Sequence, residues 1–309
     1  MFSKNLVSGK ELLQYGLSKK IAIGAFNFSN MEIIQAIVES ANDLDTPVIL
    51  QASESAINYM GFDYVLALVQ AAAKTSKVPL ALHLDHGKDL DICKKCIENG
   101  FTSVMIDKSS LPFEENIEKT KEVVDYASKF GVSVEAELGT LAGVEDDVNV
   151  SAKDAFYTDP SAALEFIEKT KVDSLAIAIG TSHGPNKGKS GNPKLDIDRL
   201  AEIKQKVGDL PLVLHGASSV YADSVENCNK YGADIKNAYG ITDSDIKGAI
   251  QNGVAKINVD TDIRIAFLAG LRKVITENSS SIDMRKYLGN ARDFSKEIII
   301  RKMKTFLGI

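Results

Sequence analysis

Eight short apolar runs constrain the fold of this chain more than any other feature, because turn or capping residues bound each run and a stretch with helical spacing follows it. Several are apolar almost throughout, as strands of a buried parallel sheet are. This alternation predicts an α/β fold, a (β/α)8 or TIM barrel, with one domain over residues 1–309 and a C-terminal helical extension. An open doubly wound sheet is the alternative, but no G-x-G-x-x-G follows the first run. The runs span residues 22–28, 47–53, 78–84, 102–107, 132–138, 174–180, 210–216 and 255–260.

Length and charge limit the classes of function. A chain of 309 residues can form one large domain or two small ones. Its net charge of −6 and the lack of a basic patch argue against a nucleic-acid partner. The N-terminal residues have no continuous apolar core, and no stretch approaches the roughly 18 apolar residues of a membrane span. We therefore expect no membrane contact and a cytoplasmic location.

The three cysteines cannot all pair with one another, and a reducing compartment disfavours disulfides. Cys93 and Cys96 form a CKKC motif within a stretch of helical spacing. Because the chain has no second pair to complete a zinc knuckle, we expect both side chains to face the core.

Histidines recur where the apolar runs end. Catalytic groups of a barrel lie at the carboxyl ends of its strands, so side chains at these ends should converge. His86, His183 and His215 follow the third, sixth and seventh runs. Three imidazoles with one open position form a catalytic zinc site, although three independently hydrogen-bonded histidines are the alternative. The fourth histidine, His83, shares its strand face with Asp85, which favours packing inside the barrel.

Carboxylates and glycines also stand at these ends. Asp85, beside a proposed ligand, either orients a histidine or acts as a general acid or base. Asp107 and Glu137 either hydrogen-bond across the barrel mouth or hold a second cation. A phosphate site is indicated by "HGAS" (215–218) with "NVDTD" (258–262), because backbone N–H groups after the last two strands of such barrels often bind phosphate.

Motifs spread along the chain resemble those of the class II, metal-dependent fructose-1,6-bisphosphate aldolases. The resemblance covers positions 24 to 264 and continues through "RIAFLAGLRKV" and "SIDMRKYL" towards the C-terminus. The motifs are "GAFNF", "QASES", "HLDHG", "SVMID", "SVEAELG", "AIGTSHG", "PLVLHGAS" and "INVDTDIR".

The resemblance implies a role for each polar strand end. The three histidines would bind the catalytic zinc, Asp85 would handle the proton of the substrate hydroxyl, and Asn258 would steady the enediolate. Asp107 and Glu137 fall where the family holds an alternative or second metal. Glu145 would be the acid or base at the carbon next to the ketone; it lies in the connection 139–160, which with 181–196 is a candidate mobile loop.

The family also implies the substrate contacts. A monovalent cation, Na⁺ or K⁺, commonly lies beside the first phosphate site. Asn27 and Ser53 would contact substrate, Ser53 at the second phosphate. In family dimers an arginine from the neighbouring subunit joins that site, and Arg285 matches it, so we expect a homodimer or homotetramer. The first phosphate would be bound by Gly184, Gly216, Ala217, Ser218, Asp260 and Thr261.

The predicted activity is a lyase reaction of glycolysis and gluconeogenesis: reversible cleavage of fructose 1,6-bisphosphate to dihydroxyacetone phosphate and glyceraldehyde 3-phosphate through a metal-stabilised enediolate. A tagatose-1,6-bisphosphate aldolase is the nearest alternative. A Schiff-base mechanism would need a lysine at an inward strand end, and only Lys256, within the last strand, is near one. A metal-dependent hydrolase would show H-x-H after the first strand, where this chain has "FNF". A non-catalytic binding role would leave the full set of proposed ligands unexplained.

Overall fold

The computed structural model describes residues 5–141, 143–145, 148–150, 156–182, 184–185 and 194–309. These residues form ten strands: β1 Ile23–Asn27, β2 Val48–Ser53, β3 Leu80–Gly87, β4 Ser103–Ile106, β5 Ser133–Leu138, β6 Gly143–Glu145, β7 Val148–Val150, β8 Ser174–Ile177, β9 Leu212–Leu214 and β10 Val254–Val259. The same residues form twelve α-helices: α1 Gly9–Lys19, α2 Met31–Asp43, α3 Glu54–Met60, α4 Phe62–Thr75, α5 Leu90–Glu98, α6 Phe113–Ala127, α7 Pro160–Thr170, α8 Ile197–Val207, α9 Ala222–Lys230, α10 Asp243–Gln251, α11 Thr261–Glu277 and α12 Met284–Leu307.

Eight of the strands in the described part of the chain close into a barrel in the order β1-β10-β9-β8-β5-β4-β3-β2, and every neighbouring pair is parallel. Helices connect these strands, so the predicted (β/α)8 barrel is confirmed. β6 and β7 pair antiparallel in the connection that follows β5. Within the described ranges, no helix is both long and apolar enough to cross a membrane.

Successive side chains of a barrel strand face two different environments, the layer between barrel and helices and the interior of the barrel. On β3, Leu80, Leu82 and Leu84 pack into the large core between the barrel and the helices. The residues between them turn inward: Ala81 joins a small apolar cluster, and His83 is hydrogen-bonded to side chains of other barrel strands. On β3 this two-residue period places apolar side chains between the barrel and the helices, and inside the barrel it places first Ala81 and then the polar His83.

Helix α1 closes the amino-terminal end of the barrel. Its Leu12 and Leu13 pack against inward-facing Ile23, Ala25 and Ile49. The barrel therefore has an apolar floor, and the polar interior side chains lie above it, towards the carboxyl ends of the strands.

Several strands end elsewhere than the apolar runs predict. β3 continues to Gly87, three residues beyond the predicted end at 84, because its last residues are polar and line the mouth of the barrel. β8 and β9 are shorter than predicted. The chain leaves the extended conformation after these two strands, where Gly180 and Gly216 have φ angles of 109° and 59°.

The two cysteines of the CKKC motif lie on a helix. Cys93 and Cys96 are buried free thiols on α5, so the prediction that they face the core is confirmed.

The last two helices pack against each other, and α12 also packs on α2 and β1. Phe306 near the end of α12 stacks on Phe26 of β1, with ring centroids 6.4 Å apart.

Candidate active site

Two histidines face each other at the carboxyl-terminal mouth of the barrel. His86 lies near the end of β3 and His215 follows β9. Nε2 of His86 is 3.1 Å from Nδ1 of His215, and the rings meet at 81°. Imidazole nitrogens that converge on one point are the arrangement of two ligands of one metal ion. The structure therefore brings these two predicted ligands together.

The backbone at His86 explains how Asp85 and His86 both reach the mouth. Consecutive residues of a regular strand point to opposite faces of the sheet. The register of β3 on β4 shifts between Leu84 and Gly87, and His86 has a φ angle of 47°. A left-handed conformation at a non-glycine residue costs about 1–2 kcal/mol. Here it turns the imidazole of His86 towards the same space as the carboxylate of Asp85.

Two carboxylates lie on the other side of His86. Nδ1 of His86 is 2.9 Å from Oδ2 of Asp107, and Oε2 of Glu137 is 3.6 Å from Nδ1 of His215. Among the described residues, no hydrogen-bond donor reaches this buried Glu137 oxygen. A buried carboxylate oxygen without a donor needs a compensating partner, and a cation between these groups supplies one. The donor set therefore fits a divalent metal ion.

The same residues divide into two possible ligand sets. Asp85, His86 and His215 form one group, and His86, Asp107 and Glu137 form the other, each with ligand atoms within 4.8 Å of one another. The first group contains the predicted zinc ligands that the structure describes, and the second matches the predicted alternative metal position. In this arrangement the Asp107 carboxylate also orients His86.

Negative charge shifts the pKa values at the mouth. Burial alone would lower the pKa of His86, but the carboxylates of Asp85 and Asp107 outweigh it and raise that pKa to about 10. Burial lowers the pKa of His215. Burial and the Asp107 carboxylate raise the pKa of Glu137 well above its usual value. These directions show that carboxylates crowd around the His86 imidazole, and such surroundings stabilise a positive charge.

A buried ion pair lies below the histidines inside the barrel. Glu135 accepts from Nε2 of His215 at 2.8 Å through Oε1, and from Lys256 Nζ at 2.8 Å through Oε2. Lys256 is also 3.3 Å from Nε2 of His83, whose Nδ1 is 2.8 Å from the Ser103 hydroxyl. This network fixes the ring of His215 so that its other nitrogen points into the mouth. His83 lies in the barrel interior, as strand parity predicts.

Amide side chains surround Asp85. Its Oδ2 accepts from Asn27 Nδ2 at 2.8 Å and from Gln51 Nε2 at 3.4 Å, and its Oδ1 accepts from Asn258 Nδ2 at 3.2 Å. These neighbours come from β1, β2 and β10, so three strands hold one carboxylate. The structure thus brings the predicted catalytic residues Asp85 and Asn258 into contact, and Asn27 bonds the same carboxylate.

The predicted phosphate contacts lie around the start of α11 and the loop after β9. Gly216, Ala217, Ser218 and Thr261 are all buried. A Cβ at Gly216 would lie 2.5 Å from the Ser182 carbonyl oxygen, so only glycine fits this approach of the two loops. Gly184, on the second loop, is also buried.

Asp260 differs from the other predicted phosphate contacts because its side chain is a carboxylate. Its carboxylate accepts from Arg264 Nε at 2.8 Å and pairs with Nη2 at 2.8 Å. A carboxylate would repel a phosphate, and the bidentate arginine offsets that repulsion. A phosphate at this residue would therefore meet the backbone at the N-terminus of α11.

The structure describes the side chains of only two of the other four predicted site residues, Arg285 and Ser53. His183 and the side chain of Glu145 lie outside the described residues. Arg285 lies at the start of α12, where its side chain is 91% exposed and bonds Asp283. Ser53 caps α3 by accepting from Ala56 N at 3.3 Å.

The sequence analysis assigned no role in the site to Glu135 or Gln51, and it considered Lys256 only as a Schiff-base lysine. Glu135, Gln51 and Lys256 each occupy an inward position on a barrel strand, which strand parity could have indicated. Their partners come from distant strands, and no local pattern predicts those contacts.

We expect Glu135→Gln to weaken binding of a divalent cation by about 10- to 100-fold, because the carboxylate orients His215. A competition titration with a chromogenic chelator measures this affinity. Glu118→Gln, which alters an exposed glutamate on α6, is the control and should bind metal as the parent chain does. Unchanged affinity in a folded Glu135→Gln variant would contradict the orienting role.

Comparison with known proteins agrees with the geometry. The profile of the fructose-bisphosphate aldolase class-II family matches residues 7–308. The chain is 49% identical to a fructose-bisphosphate aldolase from Thermus caldophilus over 301 residues, 97% of this chain and 98% of that protein. It is 45% identical to a fructose-bisphosphate aldolase from Helicobacter pylori strain J99 over 300 residues, 97% of each chain. The solved YdjI aldolase from Escherichia coli K12 shares 30% identity, with a TM-score of 0.75 over 97% of each chain.

The match extends over nearly the whole chain rather than over one motif. It confirms the family predicted from the strand-end motifs, and with it the prediction of a lyase of the aldolase type. The class II family is generally metal-dependent, and the structure contains two groups of residues that could hold a metal ion. The chain belongs to the class II fructose-bisphosphate aldolases.

Proposed function

We propose that this chain, as one catalytic domain, reversibly cleaves fructose 1,6-bisphosphate to dihydroxyacetone phosphate and glyceraldehyde 3-phosphate in the cytoplasm, with zinc as its metal. The observation that carries the proposal is the pair of facing nitrogens of His86 and His215, 3.1 Å apart, beside the buried carboxylate of Asp85. The free, buried cysteines agree with a reducing compartment.

His86, His183 and His215 would hold the zinc ion, and Asp107 with Glu137 would offer an alternative or second metal position. Nitrogen donors favour zinc over magnesium or calcium. When bound, zinc would act as a Lewis acid on the ketone oxygen and stabilise the charge that develops there. Asp107 and Glu135 would hold the two described histidine rings in place through their other nitrogens.

Asp85 would take the proton from the hydroxyl at the carbon–carbon bond that breaks, and return it in the condensation. Its carboxylate is held by Asn27 and Asn258, so it needs no reorientation before the transfer. Asn258 would also donate to the oxygen on which charge develops. Glu145, on the strand β6, would exchange the proton at the carbon next to the ketone.

A Schiff-base mechanism fits the site poorly. Lys256 is buried, and its ammonium is bound to Glu135 at 2.8 Å. A nucleophilic amine must reach the ketone carbon of the substrate, whereas this nitrogen is held inside the barrel between the Glu135 carboxylate and the His83 ring. Lys256 would therefore support the histidines rather than attack the substrate.

The backbone of Gly184, Gly216, Ala217 and Ser218 would bind one phosphate of the substrate, with the N-terminus of α11 at Asp260 and Thr261 contributing its N–H groups and dipole. The positive end of a helix favours an anion by about 0.3–1 kcal/mol at exposed sites and more when it is partly buried. A monovalent cation, Na⁺ or K⁺, would sit beside this phosphate and offset part of its charge.

The second phosphate would meet Ser53 near Asn27, together with Arg285 of a neighbouring subunit. Arg285 lies in the first turn of α12, and the nearby Ile282 and Met284 are 94% and 61% exposed. Exposed apolar side chains beside an arginine are typical of a surface that packs on a partner. A homodimer, alone or paired into a homotetramer, would bury these side chains and deliver Arg285 to the other subunit's site.

A coupled assay tests the proposed function. The purified chain is given fructose 1,6-bisphosphate or tagatose 1,6-bisphosphate, each with a chelator and again after zinc is restored. We expect chelator-sensitive cleavage that favours the fructose isomer and returns with zinc. Preference for the tagatose isomer would make tagatose 1,6-bisphosphate the assigned substrate. Activity that survives complete metal removal would overturn the metal mechanism.

A further inference from the structure

Lys302 is a buried cation of α12 that reaches a loop of the proposed site. The loop joins β9 to α9 over residues 215–221 and is named here the β9–α9 loop. The side chain of Lys302 is 0% exposed, and its Nζ donates to Ser219 Oγ at 2.8 Å and to the Ala217 carbonyl at 3.4 Å. Burial lowers the pKa of Lys302, and the Asp262 carboxylate opposes this effect. A buried ammonium is costly unless it is paired, so its contacts with this loop are a specific feature of the fold.

Asp262 completes the contact from the other side of the ammonium. Its Oδ2 is 3.7 Å from Lys302 Nζ and also accepts from Ser219 N at 2.9 Å, and its Oδ1 accepts from Val220 N at 2.7 Å. Val220 has a φ angle of 46°, which is unfavourable for a β-branched residue. Such a conformation persists only where the surroundings fix it. Lys302 and Asp262 together therefore hold the β9–α9 loop at Ala217, Ser219 and Val220.

The loop is also fixed near α10. Ile241 N donates to the Ser218 carbonyl at 3.1 Å, and a Cβ at Gly240 would lie 2.1 Å from the same oxygen. Tyr221 donates its hydroxyl to Asp243 at 2.6 Å, and Lys302 Nζ lies 5.6 Å from the centre of its ring. The carbonyl groups of Ala217 and Ser218 are thus both engaged by donors of the protein, Lys302 Nζ and Ile241 N.

We propose that Lys302 is a positioning residue for the substrate phosphate, because it holds the β9–α9 loop in the conformation that points the N–H groups of Gly216, Ala217 and Ser218 at one anion. The inference rests on the proposed function, in which this loop binds one phosphate of the sugar bisphosphate. Asp262 balances the charge of Lys302, so the lysine acts on the phosphate through loop geometry. Preorganised donors bind an anion without the entropic cost of ordering the loop.

Lys302→Met tests the inference in the full-length, zinc-loaded protein. Methionine keeps the length of the stem and removes the ammonium. We expect the KM for fructose 1,6-bisphosphate to rise about tenfold, which is about 1.4 kcal/mol of binding, with kcat within about threefold of the parent and zinc content unchanged. Inorganic phosphate should raise the Tm of the parent chain and should raise the Tm of the variant much less. Lys302→Arg, which keeps a cation, should recover part of the phosphate effect.

The matched control is Lys304→Met, because Lys304 is an exposed lysine of the same helix. It should leave KM, kcat and the phosphate effect on Tm unchanged. A folded Lys302→Met variant with the parent KM and the parent phosphate effect overturns the inference, as does a loss of kcat at unchanged KM. If Lys302→Met does not fold, Lys302→Arg and Lys302→Gln are compared instead, and equal phosphate effects in these two overturn it.

The two proposals fail in different ways. If the parent chain does not cleave fructose 1,6-bisphosphate, the proposed function fails. The effect of phosphate on Tm is then the only measurement that tests the role of Lys302. If the parent chain cleaves the sugar and Lys302→Met matches it in both measurements, only the role of Lys302 fails.

Discussion

We expect the His215→Ala variant to lose its bound divalent cation and to cleave fructose 1,6-bisphosphate with kcat/KM reduced on the order of 10³-fold or more. His215 lies 3.1 Å from the proposed ligand nitrogen of His86, and its other nitrogen bonds Glu135 at 2.8 Å. Alanine removes a ligand and also leaves the buried Glu135 carboxylate with Lys256 as its partner. Metal content by atomic absorption and cleavage in the coupled assay measure the two losses.

His83 provides the control for this prediction. It is a buried histidine of the same barrel, but its two nitrogens face Ser103 and Lys256. His83→Asn should therefore retain the cation even where its stability falls. Full metal retention in His215→Ala would contradict the assignment of His215 as a ligand. Thermal unfolding of both variants separates loss of metal from loss of folding.

The barrel could be predicted because its signals are local. Each strand is a short apolar run and each helix an amphipathic stretch, so eight alternations can be read without knowing any long-range contact. The ends of strands are harder to predict. β3 runs on to Gly87 because its final residues line the mouth with polar groups, and an apolar run stops where that lining begins.

The site could be predicted only as far as strand ends reveal it. His86, His215 and Asp85 stand where the sequence places them, because the carboxyl ends of barrel strands converge by topology. The pairing of Glu135 with Lys256 joins residues 121 positions apart, and only the closed barrel brings them together. The left-handed conformation of His86 could not be predicted either, because positive φ angles are uncommon at any non-glycine residue, histidine included.

The burial of Lys302 could not be predicted from the sequence either. In the sequence it is one lysine among several in a C-terminal helix, and lysines of such a helix are usually solvated. Its burial depends on how α12 packs beside the β9–α9 loop, and Asp262 comes from another helix. A buried cation of this kind is a tertiary property, so it is found only when the fold is known.

Asp85→Ala and Asp85→Asn should keep the bound cation while cleavage of fructose 1,6-bisphosphate falls about 10²- to 10⁴-fold, the usual contribution of a general acid or base. Asp85 is buried, and the amides of Asn27 and Asn258 hold its carboxylate. Asparagine preserves this shape without a group that can accept the hydroxyl proton. Atomic absorption and the coupled assay measure both properties.

A second measurement separates proton transfer at the hydroxyl from binding and from metal loss. Exchange of a carbon-bound proton of dihydroxyacetone phosphate with solvent needs the cation and a base at the carbon, the role proposed for Glu145, but it needs no proton transfer at the hydroxyl of the bond that breaks. Asp85→Asn should therefore retain this exchange, followed by NMR in deuterated water, while cleavage is lost. Loss of the cation from both Asp85 variants would instead assign Asp85 to the metal site, because Asp85 also lies within 4.8 Å of the ligand atoms of His86 and His215. Exchange lost together with cleavage in a variant that still holds its metal would place Asp85 at the carbon, and the acid and base assignments of Asp85 and Glu145 would be reversed.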